Sequence, residues 1–193
     1  MSIANLKRLA GVLAISMFSI AAVACGSSDS GGAAAEQFQQ VSPFDTVFTL
    51  ESLKDIGFKA SKEYDVEGLT DATEAWNGFW GTDPYDRAEY EVRFYPSHEE
   101  AVTSGTSFAI AGTGDEFEAT RREQVWESGV KDRWQTRGTT DVSSPLSRQA
   151  PGPTYPNYAI FGNLVILCDG LDDEQAFKNC AELESAVSGQ EIN

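Results

Sequence analysis

The chain has 193 residues, with 30 acidic side chains against 14 basic ones and a formal net charge of −16. So large an acidic excess disfavours nucleic acid and anionic lipid surfaces as direct partners. There is a single histidine, His98, so a Ser/His/Asp triad, a Cys/His pair or a histidine metal site would each have to pass through it.

The N-terminus reads Lys7-Arg8, then an apolar run from Leu9 to Ala24 broken only by Gly11, Ser16 and Ser19, then Cys25. Basic, apolar and small residues in that order form a secretory signal. A membrane-spanning helix needs about 20 apolar residues. This run is shorter and stops at the polar stretch Gly26-Ser27-Ser28-Asp29-Ser30-Gly31-Gly32. The tetrapeptide Ala22-Val23-Ala24-Cys25 resembles the lipobox of bacterial lipoproteins, although the box prefers Leu where Ala22 stands.

That resemblance covers only the first 25 residues or so. It implies a diacylglycerol on the Cys25 thiol, cleavage just before it, and often acylation of the new amine. Each buried methylene contributes roughly 0.8 kcal/mol, so two or three chains hold the protein to a bilayer effectively permanently. Gly26 in place of Asp implies sorting to the outer membrane where the host has one. The other reading is an ordinary signal peptide cut after Ala24, which would leave Cys25 as a free thiol.

The expected organisation is a signal peptide over 1–24, a flexible Gly/Ser/Ala tether over 25–40 and an acidic extracytoplasmic domain over 41–193. Without Lys7 and Arg8 the mature chain keeps 12 basic residues and a net charge of −18.

Within the domain, Leu50, Leu53 and Ile56 have helical spacing, with Thr49 placed to cap and Gly57 to terminate. Residues 58–64 read as an edge strand carrying Lys59, Lys62 and Glu63. Residues 73–95 read as a hairpin turning at Gly81–Asp86, although Asn77-Gly78 is itself a turn dipeptide. Its second strand alternates strictly, Ala88, Tyr90, Val92 and Phe94 against Glu89, Glu91 and Arg93, as a half-buried strand does. Ser97 and Glu100 have capping-box spacing and open one helix running to about Ala111.

Residues 115–137 fit neither period, and 138–157, with four prolines, read as loop. Tyr158–Phe161 and Leu164–Leu167 flank Gly162-Asn163, which reads as a hairpin turn or as the bulge of one central strand. A last helix runs from Asp173 to Val187, with Ala176, Cys180, Leu183 and Val187 on its buried face. This order argues α+β: one antiparallel sheet with helices packed on one face. A Gly-Asn core hairpin before a final helix also resembles small bacterial lipoproteins of unknown function, a likeness that implies no activity.

Cys168 and Cys180 form an even pair in an exported domain and read as a disulfide stapling the last helix to the sheet. Their C-x11-C spacing is neither a redox nor a zinc pattern. Asp169–Glu174 lacks the order of a calcium loop and suits the positive end of a helix instead. His98 falls in the first turn of a helix, where an exposed residue is expected.

A mildly basic segment holds Arg121, Arg122, Lys131, Arg133, Arg137 and Arg148. It reads as internal charge compensation or as an anion or partner surface. Trp76, Phe79 and Trp80 crowd three aromatics into five residues and are either core or a surface for sugars or protein.

No nucleophile, base or metal set stands out, and no cofactor is implied. The expected function is a lipid-anchored, non-catalytic binding module of the cell envelope, facing an envelope protein or a small ligand. Trp76, Phe79, Trp80, Arg121, Arg122 and Arg133 form its candidate surface. The alternative is a small hydrolase using carboxylates among Asp86, Glu89 and Glu91.

Overall fold

Strict alternation over Ala88–Phe94 gives one strand two chemically different faces, and the fold covers both of them. The computed structural model describes residues 39–114, 126–136 and 151–189. The signal segment, Cys25, most of the tether, Arg121, Arg122, Arg137 and Arg148 lie outside the described residues. In chain order the elements are β1 (Val41–Ser42), α1 (Leu50–Asp55), β2 (Lys59–Glu63), β3 (Glu74–Trp80), β4 (Ala88–Phe94), α2 (His98–Thr103) and α3 (Gly105–Gly112). They continue with β5 (Trp134–Thr136), β6 (Pro151–Pro153), β7 (Asn157–Phe161), β8 (Leu164–Cys168) and α4 (Asp173–Ser188).

Six strands form one sheet in the order β1-β7-β8-β4-β3-β2. Only β1–β7 is parallel; the other pairings are antiparallel. The α+β class, the mainly antiparallel sheet and the disulfide are therefore as the sequence implies.

Local chemistry sets the helix ends. Thr49 caps α1 through a reciprocal pair with Ser52, and Gly57 leaves the helix at φ +91°. Asp172 accepts from the Gln175 amide at 2.9 Å to start α4, and Gly189 closes it in the left-handed region. The expected single helix after Ser97 is instead two, α2 and α3, meeting at Ser104. Gly105 has low helix propensity and lies hard against the sheet. A Cβ there would sit 2.7 Å from Val165 and 3.0 Å from the Tyr95 ring.

Helices cover both faces of the sheet rather than one. Successive residues of a strand point to opposite faces. Accordingly Leu164, Ile166 and Cys168 pack with Ala176, Cys180 and Leu183 of α4 and with Leu53 of α1. Val165 and Leu167 pack with Tyr95 and with Ala101 and Ala109 of α2 and α3. An all-apolar strand such as β8 needs cover on both sides, and one layer of helices does not provide it.

Asn77-Gly78 lies inside β3 and is not a turn; the missing side chain at Gly78 admits the Phe58 ring, which a Cβ would meet at 2.4 Å. Gly162-Asn163 is the turn between β7 and β8, with Gly162 at φ +53°. Within the stretch expected to be loop or left ambiguous, β5 and β6 pair as a separate two-stranded ribbon.

Asn163 holds three segments together. Its amide oxygen accepts from the Phe48 N–H at 2.7 Å, and its amide nitrogen donates to the carbonyls of Phe48 and Tyr95. Cys168 and Cys180 are bridged with Cα atoms 5.6 Å apart, which fastens α4 to the end of β8.

Candidate functional site

The polar face of β4 carries Glu89, Glu91 and Arg93, which by alternation alone read as solvated. Glu91 and Arg93 are instead fully buried. Register places Asn77 opposite Glu91 and Phe79 opposite Glu89 on the same face of β3. Arg133 enters from the segment before β5, likewise buried.

Burial forces these charges to satisfy one another. Glu91 Oε1 accepts from Arg93 Nε and Nη2, each at 2.7 Å, and Glu91 Oε2 accepts from Arg133 Nε at 2.7 Å. Arg133 also donates through Nη2 to the Ser128 carbonyl at 2.6 Å. Both guanidinium groups lie over the Trp126 ring, at 4.2 Å for Arg133 and 5.0 Å for Arg93. Trp126 is itself buried, and its ring N–H donates to the Asp65 carbonyl at 3.0 Å. Near the rim, Asp132 accepts from Lys62 at 2.6 Å and from the Tyr64 hydroxyl at 2.9 Å.

Toward the β3–β4 turn this face opens. Half-buried Glu89 accepts at Oε1 from Asn77 at 2.6 Å and from the Tyr155 hydroxyl at 3.3 Å. Burial raises the Glu89 pKa above its ordinary value; the Asn77 hydrogen bond opposes this and Asp169 adds to it. Its Oε2 makes no hydrogen bond among the described residues. Beside it stands the half-buried ring of Phe79. The arrangement is a fixed carboxylate beside an aromatic face, braced from within by the buried Asn77 amide, and it can meet a cation or a hydroxyl-bearing ligand.

The residues singled out from sequence disperse. Trp76 and Trp80 share the face opposite Phe79, and Trp80 is buried there with its ring N–H on the Ile56 carbonyl. Trp76 is half-buried against the same apolar core. Arg133 is an interior ion-pair partner and offers no surface charge. Of the described candidates, Phe79 lies beside half-buried Glu89, and Trp76 donates its ring N–H to exposed Glu74 at 3.2 Å.

Asp86 sits in the exposed β3–β4 turn. Asp172, Asp173 and Glu174 cap and open α4. His98 is half-buried and bonds through Nδ1 to the Gly162 carbonyl at 2.7 Å, pinning the β7–β8 turn. Sequence reading missed Asn77, Tyr155 and Trp126, which no short-range pattern ties to β4. It also missed Glu184 on α4, whose burial pushes its carboxyl up to about 8.

Among the described residues, no helix is long and apolar enough to cross a membrane. No group of three or more His, Cys, Asp or Glu side chains among them could hold a metal ion.

Residues 49–189 match the family of unknown function DUF6810. The chain belongs to that family. The DUF6810 match runs from the Thr49 cap of α1 to the Gly189 cap of α4, so it takes in the whole polar face and the disulfide. Neither the curated proteins nor the solved structures give a match.

Proposed function

We propose that the domain is a non-catalytic binding module held at the outer face of a cell-envelope membrane by lipid on Cys25. The lipobox-like tetrapeptide and the Gly/Ser/Ala stretch behind it support the address. The observation that carries the binding half is the state of the polar face. Glu91 has both oxygens occupied by buried guanidinium groups, which leaves Glu89 and Phe79 as its open part.

A hydrolase working through paired carboxylates needs two that reach the same substrate. Glu91 is enclosed and Asp86 stands in the turn, so Glu89 lacks such a partner among the three candidates. A fixed acceptor beside an aromatic ring suits contact with a cationic or hydroxyl-rich ligand better than proton shuttling.

The test has two arms. Cells fed a clickable fatty acid should label the wild-type protein and leave Cys25→Ala unlabelled and released into the medium; an unlabelled, freely secreted wild type would remove the anchor. Thermal-shift screening of the protein against peptidoglycan fragments, divalent cations and envelope proteins should give a stabilising ligand whose effect falls in Glu89→Gln and Phe79→Ser. A ligand whose shift is untouched by both substitutions would move the site elsewhere.

A further inference from the structure

At the end of β4, on its polar side, two buried polar atoms have no hydrogen-bond partner among the described residues: Arg93 Nη1 and the hydroxyl of Tyr95, the residue after the strand. Both residues are almost completely enclosed, at 0% and 1% exposure. Native interiors rarely leave such groups unpaired, and an unseen guest is one of the standard reasons.

The two lie under one helix. A Cβ at Gly105, the first residue of α3, would sit 3.0 Å from the Tyr95 oxygen, and one at Gly112, its last, 3.2 Å from Arg93 Nη2. Of the charged groups acting on the Tyr95 hydroxyl, Arg93 acts most strongly.

Charge decides what kind of guest fits. Arg93, Arg133 and Glu91 are buried together, and two guanidinium cations share one carboxylate. Among the described residues the neighbouring acids are engaged elsewhere: Asp132 with Lys62 and Tyr64, Asp71 with Ser104, and Glu89 with Asn77 and Tyr155. Water would satisfy the N–H and O–H groups but leave the excess positive charge in the interior, where an unbalanced charge is costly. An anion answers both.

We propose that one small monovalent anion of halide size binds between α3 and the sheet, held by Arg93 Nη1 with the Tyr95 hydroxyl as second donor. This interior site is separate from the open Glu89–Phe79 patch and does not depend on it.

The test is thermal unfolding of the detergent-solubilised full chain, titrated with sodium bromide against sodium gluconate at constant ionic strength. Bromide should raise Tm by a few degrees in a saturable manner, and gluconate, too large to enter, should leave it flat. Tyr95→Phe deletes only the hydroxyl and should keep the fold while weakening the bromide response about tenfold, as loss of one charge-assisted hydrogen bond predicts. Bromide-soaked crystals of the full chain should show an anomalous peak within contact distance of Arg93 Nη1. Equal Tm shifts in the two salts, or a water molecule there that bromide does not displace, would overturn the proposal.

Discussion

The two faces of the central sheet solve the same burial problem with different chemistry. On one, Tyr90, Val92 and Phe94 meet Leu164, Ile166 and Leu183, and a disulfide ties the covering helix down. On the other, the intervening residues of the same strand are Glu91 and Arg93, ion-paired with each other and with Arg133 under Trp126, two guanidinium groups to one carboxylate. Losing an apolar group costs its transfer free energy and leaves a cavity, about 2–5 kcal/mol for a buried Leu→Ala, but strands no charge. A buried ion network is unforgiving, because losing one member leaves its partners charged and unpaired in a medium that cannot solvate them.

The sharpest way to break that comparison is Glu91→Gln, which keeps the shape and removes the charge. It should cost about 3–5 kcal/mol in urea unfolding, because two enclosed guanidinium groups lose their counter-ion. A loss under about 1 kcal/mol would mean that water reaches the cluster and the faces are less different than their contacts suggest.

On the apolar side, replacing Cys168 and Cys180 together by Ala should cost about 3 kcal/mol, the chain-entropy value for a loop of this size. The same loss should follow reduction of the wild type, read as a lower urea midpoint. An unchanged midpoint would show that Ala176 and Leu183 hold α4 without help.

The third test concerns an exception to the apolar side. Glu184 is buried on α4, and its Oε1 has no hydrogen-bond partner among the described residues. Burial raises its pKa from 4.5 to about 8 in the fold, so the folded state holds a proton that the unfolded chain has already released. Stability from this group is therefore complete below about 4.5, falls as pH rises toward 8, and is flat beyond. The slope should be at most about 1.4 kcal/mol per pH unit, and Glu184→Gln should flatten it in melts between those limits. An unaltered slope would assign the pH dependence to other groups.

Much of the apolar face was legible in the sequence. The i, i+4, i+7 spacing of Ala176, Cys180 and Leu183, the caps at Thr49 and Asp172 and the turn at Gly162-Asn163 are local signals, and each reappears in the fold. The polar face was not legible, for a physical reason. Glu89, Glu91 and Arg93 alternate as solvent-facing residues do, and only the arrival of Arg133, 42 residues away, makes their burial tolerable. Trp126 and Arg133 fall where no period is visible, because ion pairs and stacked rings impose none. Cover on both faces was hidden likewise: a short apolar run such as Leu164–Cys168 shows that it is buried without saying by how many layers. Of the candidate surface, Phe79 was placed by its β3 alternation, whereas Trp80 and Arg133 belong to the interior.

The clasp at Asn163 bears on how the chain reaches this state. It joins residues 115 and 68 positions apart, and the parallel pairing of β1 with β7 sets Val41 beside Ile160. Contacts so distant along the chain close late and slowly, on the millisecond-to-second scale typical of such topologies. Until they close, Tyr158–Leu167, the most apolar run of the domain, is open to other chains, so the slowest step in folding is also the one at which a newly made molecule is most prone to aggregate.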